Sequence, residues 1–219
     1  MTSIDRLSQT ARNEPAHAAV ATWRKVLEVD PVNPEGLYSL AECLAATGKS
    51  SEAVLYLKRL GGVSEALAKK LEHRFVLGSY AMCDIAERFL EDGLTEEARN
   101  NYEQALMLMP ENVDCRVGLG RIALLENNFD LAESYFQSGL SIEENNLFAL
   151  LGMGDVFLES KPELAINFFT RAIASSPDEP YGYYQRASAY EKLGKVTEAS
   201  VDWVRVKRLE ERINGGRPL

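Results

Sequence analysis

Six small residues recur along this chain at a nearly fixed interval, and that interval constrains most of what the chain can fold into. They are Ala19, Ala53, Ala98, Ala132, Ala165 and Ala199, separated by 34, 45, 34, 33 and 34 residues. Four residues after each comes a large apolar side chain: Trp23, Leu57, Tyr102, Phe136, Phe169 and Trp203. Three further on stand Val26, Leu60, Ala105, Gly139, Ala172 and Val206. Spacings of three and four place such residues on one face of a helix. A second small position precedes five of them, at Ala41, Ala86, Gly120, Gly154 and Ala187. A small residue lets two helices approach closely, and a large one fills the space beside it. Pro31, Pro110 and Pro177 follow where the second helix of a pair must stop. Gly48, Gly93 and Gly194 fall where the first helix must end and reverse, a place suited to left-handed backbone. One such pair cannot bury its apolar face alone, so the pairs must stack on one another.

This pattern resembles the tetratricopeptide repeat (TPR) family, whose period is about 34 residues. The resemblance extends over most of the chain. It implies an all-α fold, a TPR-like right-handed superhelical solenoid of five to six antiparallel helix pairs. Residues 1–62 read as a degenerate first repeat followed by one regular repeat. Residues 63–78 read as a helical insertion or hinge, because the 45-residue interval exceeds the period by 11. Val63, Leu67, Leu71 and Phe75 keep a four-residue spacing that predicts one long helix over about 64–92. Residues 79–213 read as four repeats with a C-terminal capping helix facing water, and 214–219 as a flexible tail. Ser50 or Ser51 is expected to cap the second helix of the second repeat.

Composition narrows the partners. The net charge of −9 disfavours nucleic acid, since phosphate binding needs a basic surface. Charge is also uneven. Residues 126–180 carry ten acidic against two basic side chains, and residues 181–219 eight basic against five acidic. Most of these charges read as solvated helix faces; the split also suggests self-association of acidic 126–180 with basic 181–219. No apolar run reaches membrane-spanning length, and the first residues lack the apolar core of a signal peptide. Three cysteines without CxxC spacing read as reduced thiols, and a cytoplasmic setting is expected.

Sequence motifs for chemistry are sparse, and no enzyme, cofactor or metal site is expected. Gly118–Ala123 matches GxGxxA superficially, but it falls inside a helix with no strand before it. The two histidines, His17 and His73, lie in different repeats.

The family resemblance implies instead a binding groove, lined by the first helix of each pair. Carried onto this sequence, its inward positions give Tyr38 and Glu42, then Tyr80, Cys83 and Glu87, then Val117 and Arg121. The last two repeats contribute Phe148, Leu151 and Asp155, then Tyr181 and Tyr184. Some TPR proteins clamp a C-terminal carboxylate with Lys, Asn and Arg at such positions; Tyr38, Glu42, Cys83, Glu87 and Val117 do not reproduce that pattern. An aromatic, apolar groove suits an amphipathic helix or extended apolar segment, with Arg121 set to pair with an acidic group on it. The expected function is therefore a non-enzymatic interaction module, a scaffold or adaptor. The alternatives are a dedicated chaperone shielding an apolar client before secretion or assembly, or an accessory or regulatory subunit of an enzyme.

Overall fold

The structure, a computed structural model, describes residues 2–213 and 215. The tail expected over 214–219 lies outside them except for Gly215. Among the described residues there are twelve α-helices and no strand. They fall into two compact units, residues 1–115 and residues 116–219.

Unit 1 holds α1 (Ser3–Asn13), α2 (Ala16–Val29), α3 (Pro34–Ala46), α4 (Ser50–Gly61), α5 (Glu65–Glu91) and α6 (Thr95–Leu108). Successive helices pack on one another, and in addition α3 reaches α5 and α4 reaches α6. Trp23, Leu37, Leu40, Leu44, Leu60, Leu71 and Phe75 form the centre of its core. The long helix expected over 64–92 is α5, with 27 residues. At about 1.5 Å per residue it is roughly 40 Å long, and its two halves have different neighbours. Leu71 and Phe75 close the core under α3 and α4. Further on, the Ser79 hydroxyl donates to the Ala105 carbonyl at 2.9 Å, fastening the second half to α6. Residues 65–78 thus belong to unit 1, and the division between units comes between Cys115 and Arg116.

Helix α7 (Val113–Leu125) spans that division. Unit 2 continues with α8 (Phe129–Ile142), α9 (Leu147–Phe157), α10 (Pro162–Ser175), α11 (Pro180–Lys192) and α12 (Val196–Ile213). Its fully buried side chains include Leu119, Ile122, Phe136, Leu150 and Phe169. Glycine under aromatic sets the spacing. A Cβ at Gly120 would lie 2.6 Å from the Phe136 ring, one at Gly152 2.4 Å from the same ring, and one at Gly154 2.2 Å from Phe169. Each ring therefore rests on bare backbone, and no other residue fits there without a shift.

The turns repeat as faithfully as the helices. Gly48, Gly93, Asn127 and Gly194 all have positive φ, +73°, +76°, +58° and +68°. The next N–H then reaches back five residues: Lys49 to Leu44, Leu94 to Phe89, Asn128 to Ala123 and Lys195 to Tyr190, at 2.8 to 2.9 Å. This is the closure a helix makes when its last carbonyls need donors. Asn127 fills a position the sequence pattern assigns to glycine, which Asn tolerates better than other side chains. Between repeats, Asp30, Met109, Glu143 and Ser176 each donate their N–H to the carbonyl four residues back, at 2.9 Å. Asn33, Asn112 and Asn146 then cap the following helix, accepting from Gly36, Cys115 and Ala149. The junction after α4 departs from this scheme: Gly62 ends that helix and the Ser64 hydroxyl caps α5. The cap expected from Ser50 or Ser51 is not made. Lys49 precedes α4 without a side-chain cap, and the Ser50 N–H donates to Gln104 Oε1 of α6 instead.

Candidate functional site

In unit 2 the face of α9 toward α11 carries Phe148, Leu151 and Asp155, spaced three and four apart. They differ in role. Phe148 is 61% exposed, whereas Leu151 is buried and lies against Gly182 of α11, 3.6 Å from a Cβ built there. Asp155 is half-buried. The Tyr181 hydroxyl donates to Asp155 Oδ2 at 3.0 Å and the Gln185 amide donates to Oδ1 at 2.8 Å. That amide also lies 2.8 Å from the Tyr181 hydroxyl oxygen. Burial is the main influence on the carboxyl and pushes it up to about 6, against the two hydrogen bonds that favour its charged form. Burial, then the neighbouring carboxylate, pushes the Tyr181 phenol up to about 12.

Tyr181 and Tyr184 are one turn apart on α11 and remain 42% and 47% exposed. The Tyr184 ring meets Trp203 of α12 edge-on, with centroids 5.0 Å apart. Trp203 is fixed in turn by its indole N–H, which donates to Glu191 at 2.8 Å. At the start of α11 these tyrosines line a cavity of about 230 Å³ with Glu179, Pro180, Val206 and Glu210.

Unit 1 presents a different opening. Asn33, Pro34, Glu35, Tyr38, Leu67 and Lys70 line a cleft of about 450 Å³ between α3 and the first half of α5. The Lys70 ammonium stands 5.9 Å from the Tyr38 ring centroid, and Glu42 pairs with Arg74 one turn further along both helices. On the second half of α5, Tyr80 is exposed. Glu87 accepts from the buried Tyr102 hydroxyl at 2.6 Å. Cys83 is buried, and its thiol is hydrogen-bonded with that of Cys115. That bond, then burial, pushes the Cys115 thiol up.

Of the twelve residues expected to line a groove, Cys83, Val117 and Leu151 are buried, at 4%, 6% and 6% exposure. Packed first helices draw their smaller apolar residues inward, and one sequence position does not tell a groove wall from a core contact. Arg121 is exposed on α7. The sequence reading passed over Gln185, Val206 and Glu210. Gln185 is a neutral polar residue on a helix already assigned, and α12 read as a water-facing cap. The signal for Val206 was present, since it occupies the third ladder position of the last repeat.

Among the described residues no group of three or more His, Cys, Asp and Glu side chains is placed to hold a metal ion. No described helix is long and apolar enough to cross a membrane.

Two family models described as tetratricopeptide repeat match residues 11–62 and 89–154, together more than half of the chain. A relative, cellulose synthase operon protein C of Pseudomonas fluorescens (strain SBW25), is 29% identical over 132 residues. That stretch is 60% of this chain and 10% of the relative, so the chain spans about a tenth of that protein's length. Among solved structures, MamA aligns with TM-score 0.52 and 17% identity over 98% of both chains. The pilF protein of Pseudomonas aeruginosa aligns with TM-score 0.52 and 17% identity over 94% of this chain and 91% of its own. YrrB, described as a TPR protein with an unusual peptide-binding site, aligns with TM-score 0.50 and 17% identity over 85% of this chain and 91% of its own. At such identities these structures speak to the fold alone. The chain belongs to the tetratricopeptide repeat family, and its repeats make it a scaffold for protein–protein interaction.

Proposed function

We propose that the α9–α11 face of unit 2 binds an apolar or amphipathic peptide segment, and that the chain acts by holding this partner and not by catalysis. The observation that carries the reading is the set of three exposed aromatic side chains, Phe148, Tyr181 and Tyr184, beside a half-buried Asp155 fixed by Tyr181 and Gln185. Aromatic side chains give large contact area at little entropic cost, and interface anchors are enriched in them. A surface already held by packed helices adds little ordering cost on binding. A foreign segment fits better than a second copy of the chain, because part of the basic C-terminal charge is engaged internally. Lys192 pairs with Glu159, and Arg205 and Arg212 pair with Asp178.

The test is selection of peptides from a random phage library on the immobilised full chain, followed by fluorescence anisotropy of labelled synthetic copies. Phe148→Ala and Tyr184→Ala, each checked for unchanged helicity by circular dichroism, should weaken binding about tenfold or more. Equal binding to wild type and both variants would place the peptide site elsewhere.

A further inference from the structure

The cavity at the start of α11 has a lining unlike the rest of the surface. Glu179 and Glu210 supply carboxylates, Tyr181 and Tyr184 supply ring faces, and Pro180 and Val206 complete the wall. None of these six is basic. The Tyr181 N–H takes one oxygen of Glu179, at 3.3 Å, so the other remains for an incoming donor. The nearby arginines of α12 are turned to other partners: Arg212 to Asp178 at 3.1 Å, and Arg205 to the Pro177 carbonyl at 3.2 Å and the Tyr183 ring. At about 230 Å³ the cavity is smaller than an ordinary small-molecule site and has room for one long side chain. Carboxylates beside exposed ring faces attract a cation through both charge and the ring quadrupole. Tyr181 links the cavity to the groove, since its hydroxyl also donates to Asp155.

We infer that this cavity is a recognition pocket for one basic side chain, arginine before lysine, carried by the apolar segment that the α9–α11 face binds. The inference rests on that reading of the face and adds the chemistry of its partner. A guanidinium is planar: it stacks on a tyrosine ring while its edge donates to a carboxylate, which a compact ammonium does less well. The acidic excess of residues 126–180, ten carboxylates against two basic groups, draws such a segment toward the site.

The phage-selected peptides supply the test. Selection on wild type should enrich arginine or lysine among apolar residues. Replacing that residue by norleucine, which keeps an unbranched aliphatic stem and removes the charged group, should weaken binding about tenfold. Glu210→Gln should cause a similar loss and erase the difference between the arginine and norleucine peptides, whereas Glu211→Gln, outside the lining, should change neither. Peptides that need Phe148 and Tyr184 but show no basic preference, or a preference that survives Glu210→Gln, would overturn the pocket and leave the groove standing. Selected peptides that bind Phe148→Ala and Tyr184→Ala as well as wild type, or no enrichment above an unrelated helical protein, would remove the groove and the pocket with it.

Discussion

Where the first helix of a pair crosses the second, Ala41 and Ala86 stand in unit 1, and Gly120, Gly154 and Ala187 in unit 2. The alanines are fully buried, and the two glycines face fully buried phenylalanine rings. The repeat fixes where helices meet, but the pair of residues at the crossing sets how close they come. The ion pairs differ in the same sense. In unit 2, Arg186 grips Asp202 with two hydrogen bonds of 2.8 Å, and the two side chains are only 17% and 4% exposed. Arg12–Glu35, Arg24–Glu52 and Arg74–Glu42 in unit 1 all lie at the surface. Unit 2 thus buries one ion pair beside exposed ones such as Lys192–Glu159 and Arg212–Asp178, whereas unit 1 uses the long helix α5 to close its core and sets these three pairs in solvent.

The largest consequence should appear at Asp202. Asp202→Ala leaves the Arg186 guanidinium without its buried partner and is expected to destabilise the fold by about 3–5 kcal/mol. Glu52→Ala, which removes the partner of Arg24 in unit 1, should cost less than about 1 kcal/mol. Urea denaturation of the two variants compares them directly. Equal losses would show that burial is not what separates the units.

Close packing comes next. Gly154→Ala forces a Cβ against Phe169 and should cost about 2–3 kcal/mol, with part of the loss recovered in Gly154→Ala/Phe169→Leu. The reverse change in unit 1, Ala86→Gly, removes one methyl group from a helix interior and should cost about 1 kcal/mol. A Gly154→Ala chain as stable as wild type would mean that the ring moves aside freely.

These contrasts were only partly legible in the sequence. The ladder of small and large residues located the helices and the long α5, because hydrophobic spacing and turn residues act locally. Gly120 and Gly154 could be placed at helix crossings, but the sequence could not say that a ring lies under each. The Arg186–Asp202 pair was missed although its offset of 16 residues matches that from Gly120 to Phe136. Applying that offset to opposite charges would have found it. Cys83, Val117 and Leu151 are groove positions only by the family's inward pattern, and such a pattern does not reveal how deeply neighbouring helices cover each one. The Glu179–Glu210 cavity depends on α11 and α12 together, and no local pattern encodes it.

Turn chemistry offers a smaller test. Gly93 in unit 1 and Asn127 in unit 2 take the same left-handed conformation. Gly93→Ala should cost about 1 kcal/mol through steric strain, and Asn127→Gly should be neutral or gain a few tenths. Differential scanning calorimetry of both variants would show whether Asn127 is a tolerated substitute or makes contacts that glycine lacks.

The last effect, similar in size to that at Gly93 but dependent on pH, concerns Asp155, where unit 2 holds a carboxyl in a poor place for charge. Its folded value of about 6 lies above the ordinary 3.8, so the folded chain binds this proton more tightly than the unfolded chain does. The stability gained from protonation is fully present below pH 3.8 and is lost as pH rises to about 6. That direction is opposite to ordinary acid denaturation. Asp155→Asn keeps an acceptor for Tyr181 and removes the charge, so at pH 7 it should be more stable than wild type. Allowing for the partial exposure of the group, the gain should be about 1 kcal/mol. At pH 3.5 the two proteins should unfold at nearly the same urea concentration. A gain at pH 7 that persists unchanged at pH 3.5 would show that Asn improves packing and not charge. If Asp155 instead helps draw a basic segment toward the site, the same variant should bind the arginine peptides more weakly at pH 7 while being the more stable protein. Stability and binding would then be opposed at one carboxylate, as expected where a fold carries an unfavourable buried charge for a partner to neutralise.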